Sequence, residues 1–219
     1  MSLIACTVGE KIYLFGGISK IIRVFDTKTL EFTTLTSQMP VDIVDWGTAC
    51  LYGTKIYLFG CVDANTSAEG GTKIVCFDIE TETAEVLATT LPHPMHGCVG
   101  CVDNIIHMVS KVSGDVEYWY FDPATEKLTD RGAGIYAPCS TRYVNTAFCD
   151  GKFYVFDSTN EYHADVRYLD ISNVSQGFKK LDTELGSIVP GAAGTDVVGT
   201  KIFFFGRYGN NNLAETTKE

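Results

Sequence analysis

Long apolar runs are missing from this 219-residue sequence: no window approaches the roughly 20 residues of a membrane-spanning helix, and no membrane partner is expected. The opening residues MSLIACTVGEKIYLFGG hold no basic segment followed by a long apolar one, so no export signal is read there. Charge is scarce, at 20% of residues, and positive charge scarcer: 17 basic against 27 acidic residues leave a net −10. That field repels phosphate backbones and anionic lipid surfaces, which excludes nucleic acid as a partner. Gly-x-Ser-x-Gly elbows, phosphate-binding P-loops and His-Glu-x-x-His are all absent. Helical periodicity of convincing length is absent too. Without an export signal, the eight cysteines at 6, 50, 61, 76, 98, 101, 139 and 149 are expected to be reduced, packed thiols of a cytoplasmic protein.

What is present is a core's worth of apolar residues, 45% of the chain with 12% aromatic, arranged as a repeat. KIYLFGG from Lys11 returns as KIYLFGC from Lys55, NIIHMVS from Asn104, KFYVFDS from Lys152 and KIFFFGR from Lys201, at steps of 44, 49, 48 and 49 residues. Each is a short β-branched and aromatic run, hence a strand. Small-residue strands precede them (LIACTV, TACLY, GCVGCV, NTAFC, AAGTDVV), joined through Gly9-Glu10, Gly53-Thr54, Asp103-Asn104, Asp150-Gly151 and Gly199-Thr200. Gly, Asn and Asp supply the positive φ that two-residue hairpins need. A further segment follows each: IRVFDTKTLEF, IVCFDIETETA, YWYFDPATEKL and VRYLDISNVSQGF. Asp26/Thr29, Asp78/Thr81 and Asp122/Thr125 mark a turn between a third and a fourth strand, and Asp170 to Asn173 keeps the same chemistry. One unit is four antiparallel strands, A to D, in about 48 residues, a β-propeller period.

These residues resemble the kelch-repeat family. KIYLFGG is similar to the family's strand ending in a glycine pair, FDPATEKL to its aromatic-Asp-Pro-x-Thr turn, and Met39-Pro40 to the Met-Pro after strand D. Only the first copy keeps Gly-Gly, and Phe32, Ala84 and Leu128 stand where the family has tryptophan. The resemblance implies an all-β, kelch-like β-propeller with four complete four-stranded blades and two strands of a fifth, as a single domain. Its blades span about 1–40, 41–92, 93–138 and 139–188, with a partial fifth at 189–208 and a polar tail at 209–219. A small ring with a thin fifth blade, part of a larger propeller, and a half-ring completed by another chain all fit this count. The incomplete fifth blade is thus a place for self-association or completion by a second chain.

His93, His96, Cys98 and Cys101, in HPMHGCVGC, are the residue types of a zinc site. The repeat register puts Leu91–Met95 in a D–A loop and His96–Val102 on a strand A, where residues three apart face opposite sides. Cys98 and Cys101 therefore diverge, and no metal or other cofactor is expected. Some kelch proteins hold iron through Glu-x-x-x-Asp-x-x-x-His; Glu161 and Asp165 match two positions, and Leu169 replaces the histidine.

In an A–B–C–D propeller the B–C and D–A connections share one face. They read here as long and variable, whereas A–B and C–D are tight, so that face is the expected binding surface. Trp46, His96, Arg142 and Tyr143, just before strands A, are the candidate partner-binding residues, since aromatics and Arg dominate interface hot spots. Trp46 sealing neighbouring blades and Arg142 pairing with a nearby acid are the competing structural roles. The expected function is a non-catalytic, eukaryotic-type protein-interaction scaffold or adaptor with a protein partner. The alternative is a propeller enzyme or sugar-binding protein, galactose-oxidase-like or sialate-isomerase-like, with its site at the channel mouth.

Overall fold

The computed structural model describes residues 3–16, 20–62, 71–112, 115–130, 136–138, 144–160, 163–182 and 194–205. Strand structure dominates them. The first sheet holds β1 (Leu3–Val8), β2 (Lys11–Gly16), β3 (Ile21–Asp26) and β4 (Glu31–Gln38) in that order. The second holds β5 (Asp42–Tyr52), β6 (Lys55–Val62), β7 (Lys73–Asp78) and β8 (Thr83–Thr90). In the third, β9 (Gly97–Val102), β10 (Ile105–Val112), β11 (Asp115–Asp122) and β12 (Lys127–Asp130) are joined by β13 (Tyr136–Pro138), which also pairs with β11. The fourth runs β14 (Val144–Cys149), β15 (Lys152–Asn160), β16 (His163–Asp170) and β17 (Lys179–Lys180); β18 (Gly194–Val198) and β19 (Lys201–Phe205) form a fifth, two-stranded sheet. Among the described residues no helix is long and apolar enough to cross a membrane.

One end of the sheets is pinned by turn chemistry that is local in sequence. Val8 pairs with Lys11, Tyr52 with Lys55, Cys149 with Lys152 and Val198 with Lys201, which leaves two residues in each hairpin. Gly9, Gly53 and Gly199 take φ near +60° at the first of these positions, while Asp103-Asn104 and Asp150-Gly151 are positive at both. Those are the glycine-first and doubly positive hairpins whose twist matches the strands. At the same end each third strand finishes on an aspartate that caps its own turn. The Asp26 carboxylate accepts from the Lys28 and Thr29 amides at 2.8 and 3.1 Å, and Asp78 from Glu80 and Thr81 at 2.9 and 3.0 Å. Asp122 accepts from the Ala124 amide and the Thr125 hydroxyl, and Asp170 from the Ser172 amide and hydroxyl.

The two kinds of turn are then tied together. The amide after the capping aspartate donates to the carbonyl of the hairpin's second residue: Thr27 to Glu10 at 2.9 Å, Ile79 to Thr54 at 2.9 Å, Ile171 to Gly151 at 3.0 Å. The third sheet has Pro123 at this position and so has no amide to give.

The opposite ends are irregular, and there the structure departs from the sequence reading. Register shifts fall at Ile21/Arg23, Ile43/Thr48, Phe59/Cys61, Lys73/Val75 and Ser158/Asn160. Such bulges bend a strand and re-aim its side chains. The segment Val41–Trp46, expected as a loop, is mostly strand: β5 starts at Asp42 and bulges over 44–47. The expected long B–C connections in the third and fourth sheets are short, because β10 and β15 extend to Val112 and Asn160 and leave only 113–114 and 161–162 before the next strand. Strand A of the third sheet begins at Gly97 rather than His96. The single fourth strand expected there is two pieces, β12 and β13, and a 3-10 helix over Ile171–Gln176 replaces the simple turn of the fourth sheet.

The chain divides into two compact units, Met1–His107 with Tyr120–Thr129, and Met108–Trp119 with Asp130–Glu219. In the first unit β1 packs beside β5 and β5 beside β9; in the second β14 packs beside β18. Within each unit, first strands of successive sheets are therefore neighbours. Further out the sheets interlock through aromatics. Tyr13 and Phe15 of β2 hold Phe77 of β7 at ring-centre distances of 5.9 and 5.4 Å. One sheet later, Tyr57 and Phe59 of β6 hold Phe121 of β11 at 5.4 and 5.9 Å. The same aromatic pair on a second strand clasps the phenylalanine just before the turn aspartate of the following sheet. All of these rings are buried, and burying one such side chain contributes about 1.5–3 kcal/mol.

The capping hydrogen bonds hold the turn carboxylates below the usual value: the Thr29 amide leads at Asp26, the Thr81 amide at Asp78, the Thr125 hydroxyl at Asp122 and the Ser172 hydroxyl at Asp170. A depressed folded-state value stabilises the fold above the ordinary carboxylate value of ~3.9, and that contribution is lost as pH falls through the depressed value. Melting curves from neutral to acid pH should show the wild type losing stability on this limb. The double variant Asp26→Asn/Asp78→Asn should be slightly less stable at neutral pH, since an amide oxygen still caps but carries no charge, with a shallower acid slope. Equal slopes would mean that these caps do not govern acid stability.

Candidate binding surface

Three glycines shape the irregular end of the second sheet. Gly60, in β6 at φ +89°, lies opposite the β5 bulge, where a Cβ would come 3.0 Å from Met95 Cβ and 3.2 Å from Gly47 Cα. A Cβ on Gly47 would strike the end of Ile4, and one on Gly71 would strike the carbonyls of Cys61 and Gly60, which are backbone and cannot swing away. Backbones approach closely here because no side chain stands between them. The segment after β8 closes over this spot. The Leu91 amide donates to the Thr72 carbonyl at 2.8 Å and Met95 to Gly71 at 3.3 Å, while both side chains are buried. The first sheet repeats the arrangement: the Met39 amide donates to the Lys20 carbonyl at 2.7 Å, the Lys20 ammonium to the Pro40 carbonyl at 2.9 Å, and Met39 is buried. A buried methionine thus plugs each of these ends, and the residues around it sit on a fixed ledge.

Two of the four candidate residues lie in backbone beside that ledge. Trp46 lies in the 44–47 bulge and His96 directly follows Met95, so their neighbours Gly47 and Met95 press on the same Gly60. His96 is half-buried and His93 exposed. The Trp46 side chain, and Arg142 and Tyr143 altogether, lie outside the described residues. Sequence reasoning passed over Gly47, Gly60, Gly71 and Met95, although a glycine inside a strand pattern is itself a signal of close backbone approach.

The soft-donor cluster takes no chelating form among the described residues. Cys98 is half-buried and Cys101 exposed on β9, and no group of three or more His, Cys, Asp or Glu is placed to hold a metal ion. Leu169 is fully buried, and the Asp165 carboxylate lies 2.9 Å from Lys180 and 3.5 Å from Arg167. Burial pushes the Cys6 thiol up to about 11 and Cys61 to about 12; Cys50 also reaches about 12, from burial first and then from the Cys101 and Cys6 thiols nearby. The first strands therefore bring Cys6, Cys50 and Cys101 within electrostatic reach, as neutral thiols.

No family model matches the sequence, and no curated protein matches it. Among solved structures, the chain is similar to that of YjhT, with a TM-score of 0.70 at 15% identity, over 93% of this chain and 71% of that one. At this identity the likeness concerns the fold alone. It is one of 323 matching chains, so the architecture is widely shared and marks no single activity.

Two outcomes test this geometry. Gly71→Ala should cost about 2–3 kcal/mol in denaturant unfolding, because the new methyl meets only backbone. Gly9→Asn should be near neutral, since nothing lies within 4 Å of its Cβ and Asn tolerates positive φ. In mass-resolved alkylation of the native chain near neutral pH, Cys101 should react while Cys6, Cys50 and Cys61 wait for unfolding. Rapid native labelling of Cys50 would show that β1, β5 and β9 are not packed as described.

Proposed function

We propose that the chain is a kelch-like β-propeller acting as a non-catalytic scaffold or adaptor in the cytoplasm, which engages a protein partner through the irregular ends of its sheets or through an open sheet edge. The side-by-side packing of first strands within each unit and the likeness in fold to a solved structure support the propeller. One observation carries the choice of surface. The sheets are pinned at one end by repeated capping and cross-turn bonds, while bulges, close-packed glycines and the variable connections collect at the other. Binding residues suit a place where the backbone varies on a rigid support. On this reading Trp46, His96, Arg142 and Tyr143 form the contact set, with the aromatic and arginine residues as anchors.

Affinity capture from eukaryotic cytosol, quantified by mass spectrometry, tests the assignment. Trp46→Ala and Arg142→Ala should each weaken recovery of the same partner by about tenfold or more. Lys28→Ala, whose exposed ammonium is 2.7 Å from Glu10 at the pinned end, should leave recovery unchanged. The reverse pattern would move the binding surface to the pinned end.

A further inference from the structure

The last strands of the first four sheets are unlike one another as edges. Among the described residues β4 pairs with β3 on one side and with no strand on the other. It runs for eight residues, Glu31–Gln38, six of them exposed, and its one charge sits on its first residue. β8 is as long, but it carries Glu85 within its length and buries Leu87. β12 has four residues with Lys127 and Asp130 at its ends, and β17 consists of two lysines. Short length and charged side chains keep an edge from pairing with another strand. β4 has neither a short run nor a charge inside it.

The same strand departs from the repeat in two apolar residues. In the turn before it, Leu30 takes a φ of +61°, where the next two sheets place Glu82 and Glu126 at +52° and +54°. The repeat fills this position elsewhere with a charged side chain, and here a leucine stands 70% exposed. Phe32 lies opposite Phe25 with ring centres 4.8 Å apart and is 64% exposed, whereas β8 has the smaller, half-buried Ala84 opposite Phe77. β8 is also tied to the sheet after it, because the Thr89 hydroxyl donates to the Glu126 carbonyl. Gln38 pairs with Ile21 as Thr90 pairs with Lys73, so Ser37 holds the matching place in β4. Its hydroxyl oxygen makes no hydrogen bond among the described residues. An apolar corner and an uncharged, untied edge thus fall on one strand.

We propose that β4 is the contact for a second copy of this chain, the two copies pairing antiparallel through this edge about a two-fold axis. The strand is complementary to itself. With Thr33 on the axis, Phe32 of each copy faces Thr34 of the other and Glu31 faces Leu35. Aromatic and β-branched side chains then meet, and no like charges are opposed. Glu31 to Thr34 hold unbroken register with β3, so this part of the edge is straight enough to pair. The same operation on β17 would set lysine beside lysine. Main-chain bonds along β4 supply the attachment, while Phe32 and Leu30 supply apolar area. Each copy carries a net −10, so the association tightens as salt screens their repulsion. This contact goes beyond the capture of a different protein and uses none of the candidate partner-binding residues.

Sedimentation equilibrium of the full chain, over a concentration series at low and high salt, reads the association directly. A monomer–dimer equilibrium should appear and tighten at high salt, and the β4 amides should exchange more slowly in the dimer than in the monomer. Phe32→Ala should weaken the dimer by about tenfold or more. Thr33→Lys and Thr33→Glu should each leave monomers, and mixing the two variants should restore a dimer with one copy of each. Glu85→Lys, on the β8 edge, should leave the association unchanged. The proposal is overturned by a monomer at every concentration and salt, by a dimer that survives Thr33→Lys or is indifferent to Phe32→Ala, or by protection on other strands in place of β4. Lysine and glutamate variants that melt like the wild type and still fail to pair with each other would overturn it as well.

Discussion

A phenylalanine and an aspartate, adjacent at the end of β7 and again of β11, carry the two contacts on which the first unit of this architecture depends. Adjacent residues on a strand point to opposite faces, so one dipeptide can serve two purposes without conflict. The ring of Phe77 turns toward the previous sheet and enters the Tyr13/Phe15 clasp, while the Asp78 carboxylate turns to its own turn amides. Packing between sheets and closure within a sheet are thereby set at one point in the chain. Phe121 and Asp122 repeat the device. In the fourth sheet Leu169 takes the place of the ring, and there the turn after Asp170 is also the one that becomes a 3-10 helix.

The consequence is a sheet with two unlike ends. At the pinned end, capping aspartates, positive-φ hairpins and the amide-to-carbonyl link between turns satisfy backbone groups with short-range partners, so little there is free to vary. The other end has no such lattice. It is held by what is left out, at Gly47, Gly60 and Gly71, and by single buried plugs such as Met39 and Met95. Those plugs fix the path of the chain without dictating the side chains beside them. Chemical variety can accumulate at His93, His96 and the β5 bulge while the strands behind stay in register.

Local chemistry was legible in the sequence, and long-range geometry was not. Gly9, Asp103-Asn104 and Asp26-x-x-Thr29 name their turns because the controlling interaction lies within a few residues. Cys98 and Cys101, expected on opposite faces, are half-buried and exposed respectively. The clasp of Phe77 by Tyr13 and Phe15 joins residues in different repeats, and no periodicity within one repeat shows it. The β5 bulge was missed for a related reason. Val41–Trp46 has the polar and acidic residues of a loop, but its backbone is drawn into pairing with Val62 and Cys61 by a neighbour that the local pattern does not display. The same tertiary pull lengthens β10 and β15 past their apolar runs. Of the candidate site, Trp46 was read as loop and lies in β5, and His96 was read as strand and lies just before β9; the close approach of Gly47 and Met95 to Gly60 joins segments far apart in sequence.

In the first unit each clasp takes its aromatic pair from one sheet and its ring from the next, so the first two sheets bury these residues against their successors. Stability is then a chain of nearest-neighbour couplings, as in other repeat architectures. Tyr13 and Tyr57 are buried beneath the rings they hold, and in the second unit Tyr154 is half-buried while Phe156 is buried. Tyr154 and Phe156 keep the geometry of Tyr13 and Phe15 to within 0.1 Å and 2°, comparing 6.4 Å and 16° with 6.5 Å and 18°.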